Sequence, residues 1–173
     1  MRGRFAPFNI NLLLAVLFLI ATGCDSLSRA NNKSGSTFKF HLETKSDASN
    51  SSRTGTAAVG RTRPVYITID LDPCIFENHI ERAAVVDTGD GGFAIWVKFN
   101  DFGTALFESI TTTHRNKRLV IGSRFTEARW LAAPMIINTE KSGIIIFTPD
   151  ATRPEAERIV SGLNNLLDVV RKK

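Results

Sequence analysis

The chain has little of what marks a catalyst. Its 173 residues include only three histidines and two cysteines. His41, His79 and His114 stand in no HExxH frame and beside no cysteine pair, so nothing supports a zinc site. Ser26, Ser109 and Ser123 lack the glycine frame of a nucleophile elbow. Asp87 and Asp90 lack the further carboxylates and the terminal bidentate glutamate of a calcium loop, so their stretch reads as a turn. Glu77 and Glu81 flank His79 in a pattern common on solvated faces. The expectation is therefore no catalytic residue, no metal and no cofactor: a protein that is not an enzyme. Charge of one sign is also scarce. The formal net charge is +5, from 22 basic and 17 acidic residues, too mild for a nucleic-acid binder. No apolar run is long enough to span a bilayer comfortably; Leu12–Ile20 falls short.

What is present begins with an address. Arg2 and Arg4, the run Leu12–Ile20 and then Ala21-Thr22-Gly23-Cys24 make a secretory signal over residues 1–23. Its end resembles a bacterial lipobox, in which Cys24 receives a diacylglyceryl group, although Ala21 stands where leucine is commoner. An ordinary cleaved signal with an incidental cysteine is the other reading, and an uncleaved anchor a third. Removal of residues 1–23 takes Arg2 and Arg4 and leaves 20 basic against 17 acidic residues, a net +3. If Cys24 is lipidated, Cys74 has no disulfide partner, and its acidic neighbours Asp70, Asp72 and Glu77 suit a structural thiol better than a reactive one. The expected location is the cell envelope, on the outer face of the cytoplasmic membrane or on the outer membrane.

Residues 24–36 are small and polar and read as a flexible tether; 37–173 read as one domain. Thr37–Glu43 alternates Phe38, Phe40 and Leu42 with Lys39, His41 and Glu43, a strand that places His41 on the solvent side. Residues 45–64 have almost nothing to bury and read as a long polar loop. Val65–Leu71 is a strand with Val65, Ile67, Ile69 and Leu71 inward. Phe76–Arg82 reads as a helical turn and Ala83–Val86 as a short strand, which the Asp87–Gly92 turn joins as a hairpin to Phe93–Phe99.

Asp101 then caps a helix with Phe102, Ala105, Leu106, Ile110 and Thr113 at helical spacing. The basic run His114–Arg118 ends it. Leu119, Ile121 and Phe125 alternate again, with Ser123 the polar gap on their face. Trp130–Ile137 is a further extended run in which Pro134, lacking an amide donor, demands an edge or a bulge. Ile144–Phe147 follows a Lys141-Ser142-Gly143 turn. Thr152 and Glu155 form a capping box for the last helix, whose apolar stripe is Ala156, Ile159, Val160, Leu163, Leu166, Leu167 and Val170. This order predicts an α+β domain with a largely antiparallel sheet and two main helices packed on one face.

From Phe93 to about Leu167 the sequence resembles the head subdomain of the first periplasmic domain of SecD, a component of the SecDF protein-export machinery. The matching features are the strand Val97–Phe99, Gly103, Thr111–Thr113 and Arg118–Ile121. Ala133-Pro134 with Ile136, then Gly143, Ile145, Phe147-Thr148 and Glu155-Ala156 complete them. Two departures stand out: Gly122–Phe125 replaces the usual Asp-Gly turn, and Ile146 replaces a glycine before the Phe-Thr pair. No transmembrane helices follow. The resemblance covers residues 65–168 at its widest and implies a ferredoxin-like-related SecD head architecture. It also implies contact with exported polypeptide, without the proton-coupled part of SecD.

Two readings of function follow. The first is a lipid-anchored module that binds unfolded or extended polypeptide, by strand addition at an edge such as that of Pro134. The second is an accessory subunit that binds one folded envelope protein. Trp96, Arg129 and Trp130 are of the residue types enriched at binding patches and, with Pro134, are the candidate partner-binding residues; core packing is the competing role for the tryptophans. Oligomeric state is not legible.

Overall fold

The computed structural model describes residues 35–45 and 51–172. The signal, Cys24 and the tether as far as Ser34 lie outside the described residues. Gly35 and Ser36, at the end of the expected tether, belong to the domain. Ser36 is fully buried and its hydroxyl donates to the Ile159 carbonyl at 2.6 Å.

Among the described residues, nine strands and two α-helices make up the domain. They are β1 (Thr37–Leu42), β2 (Thr54–Val59), β3 (Val65–Asp70), β4 (Ile75–Phe76), β5 (Ile80–Asp87) and β6 (Phe93–Phe99), then α1 (Asp101–Thr113). After α1 come β7 (Leu119–Arg124), β8 (Ala128–Ala132), β9 (Ile144–Phe147) and α2 (Arg153–Arg171). Every strand pairing is antiparallel, as the α+β reading expects, but the pairing is shared among three sheets, β4-β1-β7-β8, β2-β3 and β5-β6-β9. The inner faces of the two larger sheets meet through aromatic rings. Phe40 of β1 lies 5.6 Å from Phe99 of β6, and Phe38 lies 6.4 Å from Phe147 of β9. Both helices feed this one core, α1 through Phe107 and Ile110 and α2 through Ala156, Ile159, Val160, Leu163 and Leu167.

The period-two reading of β6 and the capping box of α2 hold, and in β1 Phe38 and Phe40 face the core as expected. Glu155 accepts from the Thr152 N–H at 3.4 Å, the return half of that box. Several expectations need correction. The polar loop 45–64 contains β2, which pairs with β3 from Thr54↔Asp70 to Val59↔Val65. Its residues are too small to show an apolar alternation. The ladder satisfies their backbone groups instead, and Ala57 packs with Ile67, Ile69 and Val120 in a second, smaller core. This hairpin lies over the outer face of β1 and β7. His41, expected at the surface, is therefore 6% exposed. Val65 and Leu71, expected inward, are exposed because only Ile67 and Ile69 face that core.

Ile75–Phe76 is a short strand beside β1, and Glu77–His79 a single 3-10 turn, where a helical turn was expected; β5 starts directly after it. The cap of α1 is Asn100, whose side chain accepts from the Gly103 N–H at 2.8 Å, rather than Asp101. The buried face of α1 is Gly103, Phe107, Ile110 and Thr111, while Phe102 is 66% exposed and Ala105 and Thr113 are exposed too. Gly103 fixes this rotation. A Cβ there would lie 2.3 Å from the His79 carbonyl oxygen, so only glycine lets the first turn approach so closely. In α2, Leu166 is half-buried and Val170 exposed, so the stripe narrows toward its end.

Candidate functional site

A groove lies between β9 and the segment that follows β8. The extended run expected from Trp130 to Ile137 is cut short, because β8 ends at Ala132 and Pro134 falls beyond it. The segment keeps company with the start of β7 through irregular bonds. Leu119 N–H donates to the Pro134 carbonyl and Ile136 N–H to the Lys117 carbonyl, both at 2.9 Å. That pattern turns the backbone groups of Met135, between them, away from β7. On the opposite wall, Phe99 N–H donates to the Gly143 carbonyl at 2.8 Å, and Ile145 and Phe147 stand opposite Val97 and Ile95. Gly143, Ile145 and Phe147 thus bond β6, and Ile144 and Ile146 turn their backbone groups outward. The Ser142 hydroxyl accepts from the Ile144 N–H at 3.3 Å. The Ile146 groups have no backbone partner among the described residues.

The groove so walled encloses about 510 Å³ and is also lined by Phe107, Thr111 and Leu119. Its rim is apolar and open, with Met135 50%, Ile137 67% and Ile146 59% exposed. A shallower hollow of about 580 Å³ continues it past Pro134 and Ile146 toward Val59, Gly60 and Pro149. Asp150 N–H donates to the Leu131 carbonyl at 2.7 Å and joins the walls at that end. At the other end, Glu140 N–H donates to the Thr111 hydroxyl at 3.0 Å and seats the connecting loop on α1.

The four candidate residues do not form one patch. Pro134 lines the groove. Trp96 is half-buried on the outer face of the β5-β6-β9 sheet, in register with Ala84 and with Ile146, which borders the groove. Trp130 lies on a different sheet, half-buried beside the β2-β3 hairpin. Arg129 is bound internally. It donates to Glu155 and to the Asp150 carbonyl, and Arg61 reaches the same Glu155 carboxylate at 2.7 Å. Ile146, Met135 and Ile137 were missed as candidates because in the sequence they belong to apolar runs that read as core. Cys74 lies against β1, its thiol 3.2 Å from the Phe40 carbonyl, and burial pushes its pKa up to about 12. Among the described residues no cluster of histidine, cysteine or carboxylate side chains could hold a metal ion, and no helix is long and apolar enough to cross a membrane.

Antiparallel sheets with two helices enclosing one core define the class of fold. Within that class the chain is similar to solved structures of SecDF. One, described as a membrane component that enhances protein export, aligns with a TM-score of 0.55 and 14% identity over 95% of this chain and 76% of its own. Another, SecDF in a super-membrane-facing form, aligns with a TM-score of 0.56 and 17% identity over 75% of this chain. The alignment spans only 19% of that second chain. The likeness is one of fold, and the fold is SecD-like. No family model matches the sequence, and no curated protein matches it significantly.

Proposed function

We propose that the protein is a lipid-anchored extracytoplasmic binding module, related to the SecD periplasmic head, that takes extended or unfolded polypeptide in the groove between β9 and Ala133–Ile137. The observation that carries this reading is the pairing of outward-turned backbone groups at Ile146 and Met135 with the exposed apolar rim of Met135, Ile137 and Ile146. Main-chain groups bond any extended chain irrespective of its sequence, and an apolar rim takes its side chains. The SecD-like fold supports the link to export. On this reading the module binds polypeptide and carries out no reaction on it.

The test is binding of the protein to a panel of unfolded secretory proteins and to their folded forms. Ile146→Lys should weaken binding to the unfolded panel at least about tenfold, through an apolar contact replaced by charge. Equal or absent binding to both panels overturns the proposal and leaves the single-partner accessory reading. Anchoring is tested separately. Cys24→Ala should release the protein from membranes or block its processing, because stable attachment takes more than one acyl chain. An unmodified N-terminus at Cys24 by mass spectrometry would remove the lipid anchor.

A further inference from the structure

A second pocket, of about 400 Å³, lies on the outer face of the β4-β1-β7-β8 sheet, away from the groove. The β2-β3 hairpin covers one end of this face, over His41 and Val120 and against one side of Trp130. Beyond the hairpin the register sets Lys39 opposite Gly122 and Thr37 opposite Arg124, with Trp130 on the far side of Gly122. Gly122 makes the hollow. A Cβ there would lie 2.9 Å from the Trp130 ring, so the indole lies over a residue without a side chain.

The pocket has two chemically distinct ends. His41 supplies an acceptor. Its Nδ1–H donates to the Asp70 carbonyl at 2.8 Å, which leaves Nε2, unpartnered among the described residues, as the lone-pair nitrogen of the neutral ring. Burial favours that neutral form, pushing the pKa below the ordinary histidine value against the opposing pull of the Asp70 carbonyl. The ring is held edge-on against Trp130, with centroids 5.3 Å apart. Glu77 adds a carboxylate to the lining. At the other end, Lys39 and Arg124 are diagonal neighbours across β1 and β7, exposed, and without an ion-pair partner among the described residues. Like charges so placed repel, and an anion between them relieves the repulsion.

We propose that this pocket binds an α-carboxylate that carries an N–H on its α-nitrogen, the chemistry shared by a free amino acid and the last residue of a polypeptide. The carboxylate meets Lys39 and Arg124, the α-nitrogen donates to His41 Nε2 or Glu77, and the side chain lies along Trp130 and Ala128. The site is independent of the groove and of what the groove binds.

The test uses the full chain with Trp96→Phe, which leaves Trp130 as its one tryptophan and its emission as the reporter. The probes are L-leucine, N-acetyl-L-leucine and N-acetyl-L-leucinamide. Both carboxylates, or one of them, should shift the emission saturably, and the amide should not. Lys39→Gln and Arg124→Gln, exposed positions that leave thermal stability unchanged, should each weaken binding about tenfold, the loss of one charge-assisted contact. Tighter binding of leucine identifies a free amino acid as the ligand; tighter binding of its acetyl form identifies a chain end. Equal response to the amide, no saturable shift at about 10 mM, or unchanged binding in the double Gln variant overturns the proposal.

Discussion

Asn164 of α2 closes the outer edge of β5 at Ala83. Its side-chain oxygen accepts from the Ala83 N–H at 3.1 Å and its amide donates to the Ala83 carbonyl at 2.9 Å, so one side chain does what a neighbouring strand would do. Arg171 donates to the Glu81 carbonyl further along the same edge. Edge strands left bare are templates for pairing with other chains.

Asn164→Leu should therefore have two effects. Leaving the partly buried Ala83 groups unpaired should cost about 1–3 kcal/mol, read as a lower denaturation midpoint. The bared edge should also raise light scattering at high protein concentration. Unchanged scattering with lowered stability would mean that the bulk of α2, rather than Asn164, guards the edge.

Gly103→Ala and Gly89→Ala make a matched pair. The first places a methyl 2.3 Å from the His79 carbonyl oxygen; the second meets nothing within 4 Å. The first should lose about 1–3 kcal/mol or more by overpacking, and the second should stay within about 0.5 kcal/mol of the parent. Chemical denaturation of the two variants checks this.

The docking of α2 rests on its start and its middle. Thr152→Ala should cost about 1 kcal/mol through the capping box. Leu163→Ala, at a fully buried position, should cost roughly 2–5 kcal/mol. Midpoints unmoved by both would mean that the helix is not docked.

The buried His41 and the partly buried Cys74 give stability opposite slopes with pH. Cys74 titrates near 9.0 in an unfolded chain and near 12 in the folded protein, chiefly through burial. The native state keeps a proton that the unfolded chain gives up, so this contribution is whole below pH 9.0 and is lost as pH climbs toward 12. His41 is depressed by burial from 6.5. Its contribution is whole above that value and is lost as pH falls through the folded pKa. Cys74 should resist alkylation until the protein unfolds. His41→Gln should flatten the fall in midpoint between about pH 7 and 5.

What was legible in the sequence was whatever a local period could write. Phe93–Phe99 alternates bulky apolar residues and is a strand; Thr152 and Glu155 mark a helix start wherever they stand before an apolar stripe. β2 was not legible, because Thr54–Val59 has only small residues on the face it buries, and its strand character comes from the ladder with β3. One omission produced another, since without the hairpin nothing told His41 that its side of β1 was covered. The groove was half legible. Pro134 did point to an interrupted edge, but the interruption ended the strand rather than marking its rim. The bond from Asn164 to Ala83 spans 81 residues, and no window on the sequence connects them.

The burial of Ser36 bears on how the domain withstands tension. Within the described residues, the side-chain tie nearest the N-terminal side is the Ser36–Ile159 bond. Behind that bond lies β1, which is laddered to β7 over six residues on one side and to β4 on the other. A tug is thus delivered to an interior strand latched to a helix, where many bonds share the load, and not to a margin that peels one bond at a time.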